Sequence, residues 1–134
     1  MSLDIVYYSN RSNNTHRFVE KLGMGGKRIP QSGDFLVDRE FVLFVPTYGS
    51  GNDGYSIPRP VANFLNVPQN RQLLRGLVGF GNTNFGEHFC KAAYLIADKT
   101  GMPILAKVEL LGTPEEVTLV RERVMILNEQ LQLP

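Results

Sequence analysis

Six consecutive apolar residues, Phe41-Val42-Leu43-Phe44-Val45-Pro46, constrain the fold of this chain more than any other feature. The run does not alternate with polar residues, so it reads as a strand covered on both faces, as in a parallel sheet flanked by helices. It is far too short to cross a bilayer. Leu77-Val78-Gly79-Phe80 is a second run of this kind, and Leu3 to Tyr8 and Ile104 to Val108 supply two further strands. Lys27 to Pro30 and Asp34 to Asp38 are weaker extended candidates. Between the strands the apolar spacing becomes helical. Phe18, Val19 and Leu22 mark a helix from about Thr15 to Gly23, and Val61, Phe64 and Leu65 mark one opened by Pro58 and Pro60. Phe85, Phe89, Ala92 or Ala93, and Ile96 predict a third, running to Lys99 before Gly101. In the fourth, Thr113-Pro114-Glu115-Glu116 forms a capping box ahead of the stripe Val117, Val120, Val124, Leu127, Leu131.

Strands alternating with helices predict an α/β fold: one domain over residues 1–134, with helices on both faces of a five-stranded parallel sheet. In doubly wound folds of this size the usual strand order is 2-1-3-4-5, and ligands bind beyond the carboxyl ends of the first and third strands. Chemistry is therefore expected in the loops after Tyr8, Pro46 and Phe80. The net charge of +1 supplies no field for nucleic acid or an anionic membrane. Cys90 is the single cysteine, which excludes an intrachain disulfide framework and multi-cysteine metal sites and fits a reducing compartment. With no leader-like or spanning segment, a cytoplasmic location is expected.

The segment Ser9-Asn10-Arg11-Ser12-Asn13-Asn14-Thr15 lies between a strand and a helix amino terminus, and every side chain in it can hydrogen-bond. Free backbone amides, the helix dipole and short hydroxyl and amide side chains there suit a terminal phosphate. The loop lacks the lysine and flanking glycines of a triphosphate-binding loop. Gly49-Ser50-Gly51-Asn52-Asp53-Gly54 matches a dinucleotide fingerprint literally, but no acid occurs between Asp53 and Glu87 to hold a ribose. It is expected instead to bring backbone close to a flat heterocycle. Tyr48 would stack on such a ring or close the sheet end. Asn82 and Asn84, in Gly81-Asn82-Thr83-Asn84-Phe85-Gly86, would meet its polar edge or serve as turn residues. Cys90 is expected to be buried, and His16 and His88 are expected at solvated positions.

Tyr7-Tyr8-Ser9, Asn14-Thr15-His16-Arg17-Phe18, Pro46-Thr47-Tyr48-Gly49, Gly81-Asn82-Thr83-Asn84-Phe85-Gly86 and Glu109-Leu110-Leu111-Gly112-Thr113 together resemble the NrdI family, the flavodoxin-like maturation proteins of class Ib ribonucleotide reductase. The resemblance implies a flavodoxin-like three-layer sandwich with non-covalent FMN. By motif, Ser9, Asn10, Ser12, Asn14 and Thr15 would cradle the phosphate, while Tyr48, Gly49, Asn82 and Phe85 would hold the ring. It further implies that reduced flavin reacts with dioxygen, supplying superoxide or peroxide to the dimanganese centre of the small, radical-bearing subunit, with electrons from an unidentified reductant. The chain would then be an activator more than a metabolic enzyme. An electron-transfer flavodoxin without oxygen delivery, or a flavin-free interaction domain on the same fold, is the alternative. Three positions depart from the family pattern: Asn13 in place of glycine, Ser50 in place of a second glycine, and Ala93-Tyr94 in place of Gly-Asp. Arg59, Arg71 and Arg75 lie in a stretch without acids from Gly54 to Gly86. They predict a neutral or mildly positive field at the ring, easier two-electron reduction than in acidic flavodoxins, and a basic rim for a partner.

Overall fold

The computed structural model describes residues 2–47, 57–82, 90–109 and 111–133. In chain order the elements are β1 (Asp4–Tyr7), α1 (Asn14–Leu22), β2 (Lys27–Arg28), β3 (Phe41–Pro46), α2 (Arg59–Asn66), α3 (Pro68–Arg71), β4 (Leu74–Gly81), α4 (Lys91–Thr100), β5 (Ile104–Glu109) and α5 (Pro114–Gln132). The strands form a five-stranded sheet in the order β2-β1-β3-β4-β5, and every pairing is parallel. The fold class and strand order are those expected from the sequence.

All six residues of β3 are buried because helices cover both faces of the sheet. Ile5, Tyr7, Val42, Phe44, Val78 and Phe80 point to one side, where Phe18, Val19 and Leu22 of α1 and Val117, Val120 and Val124 of α5 pack on them. Val6, Tyr8, Leu43, Val45 and Leu77 point to the other, against Val61 and Phe64 of α2 and Ala92, Ala93 and Ile96 of α4. This period of two sorts each strand between two cores. On the first side Phe18 meets Phe80 edge-on with centroids 5.0 Å apart, and Phe44 lies 5.9 Å from Phe80, forming an aromatic floor under the carboxyl ends of β3 and β4.

Several expectations are corrected. The Asp34 to Asp38 segment forms no strand; Asn70 holds it, accepting from the Val37 amide at 3.0 Å and donating to the Phe35 carbonyl at 2.7 Å. The short helix α3 and the first three residues of β4, Leu74 to Gly76, were not anticipated. The helix expected from Phe85 cannot run unbroken through Cys90, whose φ of 58° is left-handed; α4 starts at Lys91 with Cys90 as its cap. The capping box of α5 forms as expected, with Glu116 N–H donating to Thr113 Oγ1 at 3.1 Å and Thr113 N–H to Glu116 Oε1 at 2.9 Å. Among the described residues no helix is long and apolar enough to cross a membrane.

Candidate functional site

Where β1 and β3 diverge to opposite neighbours, a cavity of about 130 Å³ opens beyond their carboxyl ends. Asn10, Ser12, Asn14 and Thr15 line it from the loop after β1, Pro46 and Thr47 from the end of β3, and Phe80, Gly81 and Asn82 from the end of β4. These three loops are the ones the fold singles out for ligand binding. The volume falls below the roughly 300–1,000 Å³ of a whole small-molecule site, so the described lining matches one terminal group of a ligand.

The first loop organises itself. Asn10 Oδ1 accepts from the amide of Ser12 at 3.1 Å and from its hydroxyl, and Asn13 N–H closes a turn onto the Asn10 carbonyl at 3.0 Å. Asn13 then adopts φ 59° and ψ 20°, the left-handed conformation that asparagine tolerates better than most residues, which explains its presence where the family pattern has glycine. Helix α1 begins at Asn14 with its dipole directed at the cavity. Thr15 is only 2% exposed, yet neither its hydroxyl nor its backbone amide hydrogen-bonds to another described residue. A buried donor pair of this kind calls for a partner in the cavity. No acidic side chain is among the described lining residues, so a phosphate-sized anion fits the donor set.

Five of the expected site residues, Asn10, Ser12, Asn14, Thr15 and Asn82, meet around this cavity. Ser9 does not line it. Its buried hydroxyl accepts from the His16 amide at 3.1 Å and caps α1 beneath the site, so it supports the cradle. Tyr48, Gly49 and Phe85 lie outside the described residues, as do Ser50, Asn84, His88, Phe89 and the Gly49 to Gly54 motif. His16, expected at a solvated position, is half-buried and has two partners: Nδ1 is 2.6 Å from Tyr7 Oη and Nε2 is 3.1 Å from Glu20 Oε1. Burial raises the Tyr7 phenol above its ordinary range, so it remains a neutral hydroxyl in that contact.

Two residues of the site were missed from sequence. Thr47 Oγ1 accepts from Ala92 N–H at 3.0 Å, tying the end of β3 to the first turn of α4. Arg28 Nη2 donates to the Ser9 carbonyl at 3.1 Å and to Asn13 Oδ1 at 3.0 Å. The capping hydroxyl of Thr47 had a signal, a threonine directly after a buried strand; Arg28, on a two-residue strand in an otherwise weak segment, had none.

The expected basic rim is also corrected. Arg71 closes α3 and Arg75 lies at the start of β4, six residues before Gly81 and thus about 20 Å from the cavity end of the sheet. Arg75 is further neutralised by Glu40. At that separation solvent and salt remove most of their influence. Of the three arginines, Arg59 alone lies toward the carboxyl end of the sheet, opening α2; the cation bonded to the loop is a fourth, Arg28. In place of Gly-Asp, Ala93 is buried where α4 crosses Gly79, and the exposed Tyr94 accepts a hydrogen bond from Lys107 Nζ at 2.6 Å.

Residues 6–122 match the family model described as NrdI flavodoxin-like. The chain belongs to that family. Protein NrdI of Brucella ovis and that of Brucella abortus strain S19 are each 54% identical to it over 123 residues, 90% of either chain. Among solved structures, flavodoxin 2 of Bacillus cereus superposes with a TM-score of 0.64 at 16% identity, covering 97% of this chain and 99% of that one. The flavodoxin of Streptococcus pneumonia TIGR4 gives 0.63 at 23% identity, covering 96% and 98%. These likenesses establish the flavodoxin-like fold of this NrdI family member.

Proposed function

We propose that the chain binds FMN non-covalently and acts as an accessory of class Ib ribonucleotide reductase, supplying superoxide or peroxide for assembly of the dimanganese tyrosyl-radical centre in the small subunit. The observation that carries the flavin assignment is the buried hydroxyl and amide of Thr15, without a partner among the described residues, at the switch point of a flavodoxin-like sheet. Family membership supports the assignment to the reductase.

Asn14, Thr15 and the first turn of α1 would receive the phosphate, with Asn10 and Ser12 fixing the turn and Ser9 holding the helix start from below. Tyr48, Gly49, Asn82 and Phe85 would hold the ring. When bound, FMN would supply the redox chemistry, the two-electron, two-proton reduction of dioxygen to peroxide or its one-electron reduction to superoxide, with the electrons drawn from an external donor. The chain's part is to bind, orient and shield the flavin. Among the described lining residues no side chain can serve as a general acid or base at neutral pH, which suits chemistry intrinsic to a cofactor.

Two measurements test this in sequence. Apo-protein titrated with FMN is expected to quench flavin fluorescence with one-to-one stoichiometry and to give a visible flavin spectrum. Reduced protein, mixed with oxygen and manganese-loaded small subunit, is expected to give a tyrosyl-radical signal well above that from free reduced FMN. Radical yields equal to the free-flavin control would favour the electron-transfer alternative, and absence of FMN binding would remove both.

A further inference from the structure

We infer that Arg28 is the positioning residue of the anion site and sets its preference for a phosphorylated over an unphosphorylated flavin. The inference rests on the proposed flavin site. The loop after β1 must turn back and present the amino terminus of α1, and in that turn a non-glycine residue, Asn13, is held at a φ of 59°. Such a conformation is disfavoured and persists only where its surroundings hold it. Asn13 makes no side-chain cap to its own helix. Its Oδ1 accepts instead from Arg28 Nη2, and the same nitrogen donates to the carbonyl of Ser9. One guanidinium nitrogen thus joins the start of the loop to its end.

Arg28 reaches this position because β2 runs close against α1. It pairs with Tyr7 in the parallel ladder, and a side chain at Gly26 would meet Val19 Cγ1 at 2.6 Å and the Tyr7 ring at 3.2 Å. Glycine at 26 is what lets the edge segment approach. Arg28 is absent from the cavity lining, so it acts through the loop: it fixes Asn13, Asn13 fixes the first turn of α1, and that turn carries the Thr15 donors. Among the described residues it has no carboxylate partner, and its charge adds to the positive end of the helix. Loop order and charge both matter to a phosphate dianion, while the terminal hydroxyl of riboflavin gains little from either.

The test is fluorescence titration of the full-length apo-protein with FMN and with riboflavin, for wild type, Arg28→Gln and Arg28→Lys. Arg28→Gln is expected to weaken FMN roughly 10- to 100-fold, the range for a lost charged hydrogen bond, and to change riboflavin by less than about threefold. Arg28→Lys should recover part of the FMN loss, more at low salt. Equal losses for both flavins, or unchanged FMN binding, overturn the inference. If Arg28→Gln does not fold, Asn13→Gly carries the test, because glycine accepts the left-handed φ while losing the Arg28 bond. FMN should then weaken several-fold with riboflavin unchanged, and unweakened FMN binding overturns the inference. Wild type that takes up neither flavin overturns the proposed site together with the inference, whereas wild type that binds FMN beside unaffected variants overturns the inference alone.

Discussion

Two of the helices that start at the cavity end of the sheet are each preceded by a left-handed residue that is not glycine: Asn13 before α1 and Cys90 before α4. The backbone angles nearly coincide, at φ 59° and 58°, yet the means of holding them differ. Asn13 is half-exposed and is held by hydrogen bonds from Arg28 and to the Asn10 carbonyl. Cys90 is fully buried and is held by packing: a Cβ placed on Gly79 would meet Cys90 Cβ at 3.1 Å and Ala93 Cβ at 2.8 Å. The polar version leaves donors facing a cavity, and the packed version closes the sheet against solvent. A site for an anion is thus built on one helix start and a scaffold on the other, with the same local backbone device.

The largest break in this comparison is expected from the packed side. Gly79→Val would force a side chain into space already filled by Ala93 and Cys90, and neither can retreat because both are fully buried between α4 and the sheet. Overpacking of this kind should cost about 3 kcal/mol. In a domain of this size a thermal melt should fall by roughly 10 °C. A melt within experimental error of wild type would show that Cys90 is not held by packing, and the contrast with Asn13 would lose its basis.

The two starts also differ in how far they could be read in advance. Periodicity exposed the sheet, because burial on both faces leaves runs such as Phe41 to Pro46 that no other arrangement tolerates. The polar residues after Tyr8 marked the anion loop, because short side chains that compete for backbone amides seldom cluster between strand and helix without reason. What stayed hidden was long-range. Arg28 bonds to residues 15 and 19 positions earlier in the chain, and nothing around it in sequence signals the contact. Cys90 continued an apolar helical spacing, so the spacing ran through it, whereas the backbone turns left-handed at that point. Packing against Gly79, on β4, overrode local periodicity there.

A smaller effect separates the two mechanisms by residue type. Asn13→Ala keeps the strained φ and loses the Arg28 bond, and should destabilise by about 1–2 kcal/mol. Asn13→Gly relieves the φ and should stay within about 0.5 kcal/mol of wild type. At Cys90 the same pair should give nearly equal losses of about 1 kcal/mol each, because glycine gains in φ what it forfeits in buried contact. Denaturant midpoints for the four variants check this. An alanine–glycine gap at Cys90 as large as that at Asn13 would mean that one mechanism holds both turns.

The last expected effect is absent at neutral pH and emerges only in alkaline buffer, and of the two positions it belongs to Cys90. Burial pushes its thiol from 9.0 up to about 12. The unfolded chain therefore releases the thiol proton at lower pH than the folded one, so the folded state holds more protons through this interval. Stability contributed by the neutral buried thiol is fully present below about pH 9 and declines from there toward about pH 12. Cys90→Ala has no thiol proton to lose, and the alkaline titration of Tyr7 is shared by both proteins and cancels in their difference. The stability margin of wild type over Cys90→Ala should hold steady at neutral pH and narrow as the buffer is raised past about 9. Maleimide labelling of the native thiol should likewise remain slow until the protein unfolds. A constant margin across the alkaline range, or rapid labelling of the folded protein at neutral pH, would place Cys90 in contact with solvent and remove the packed half of the comparison.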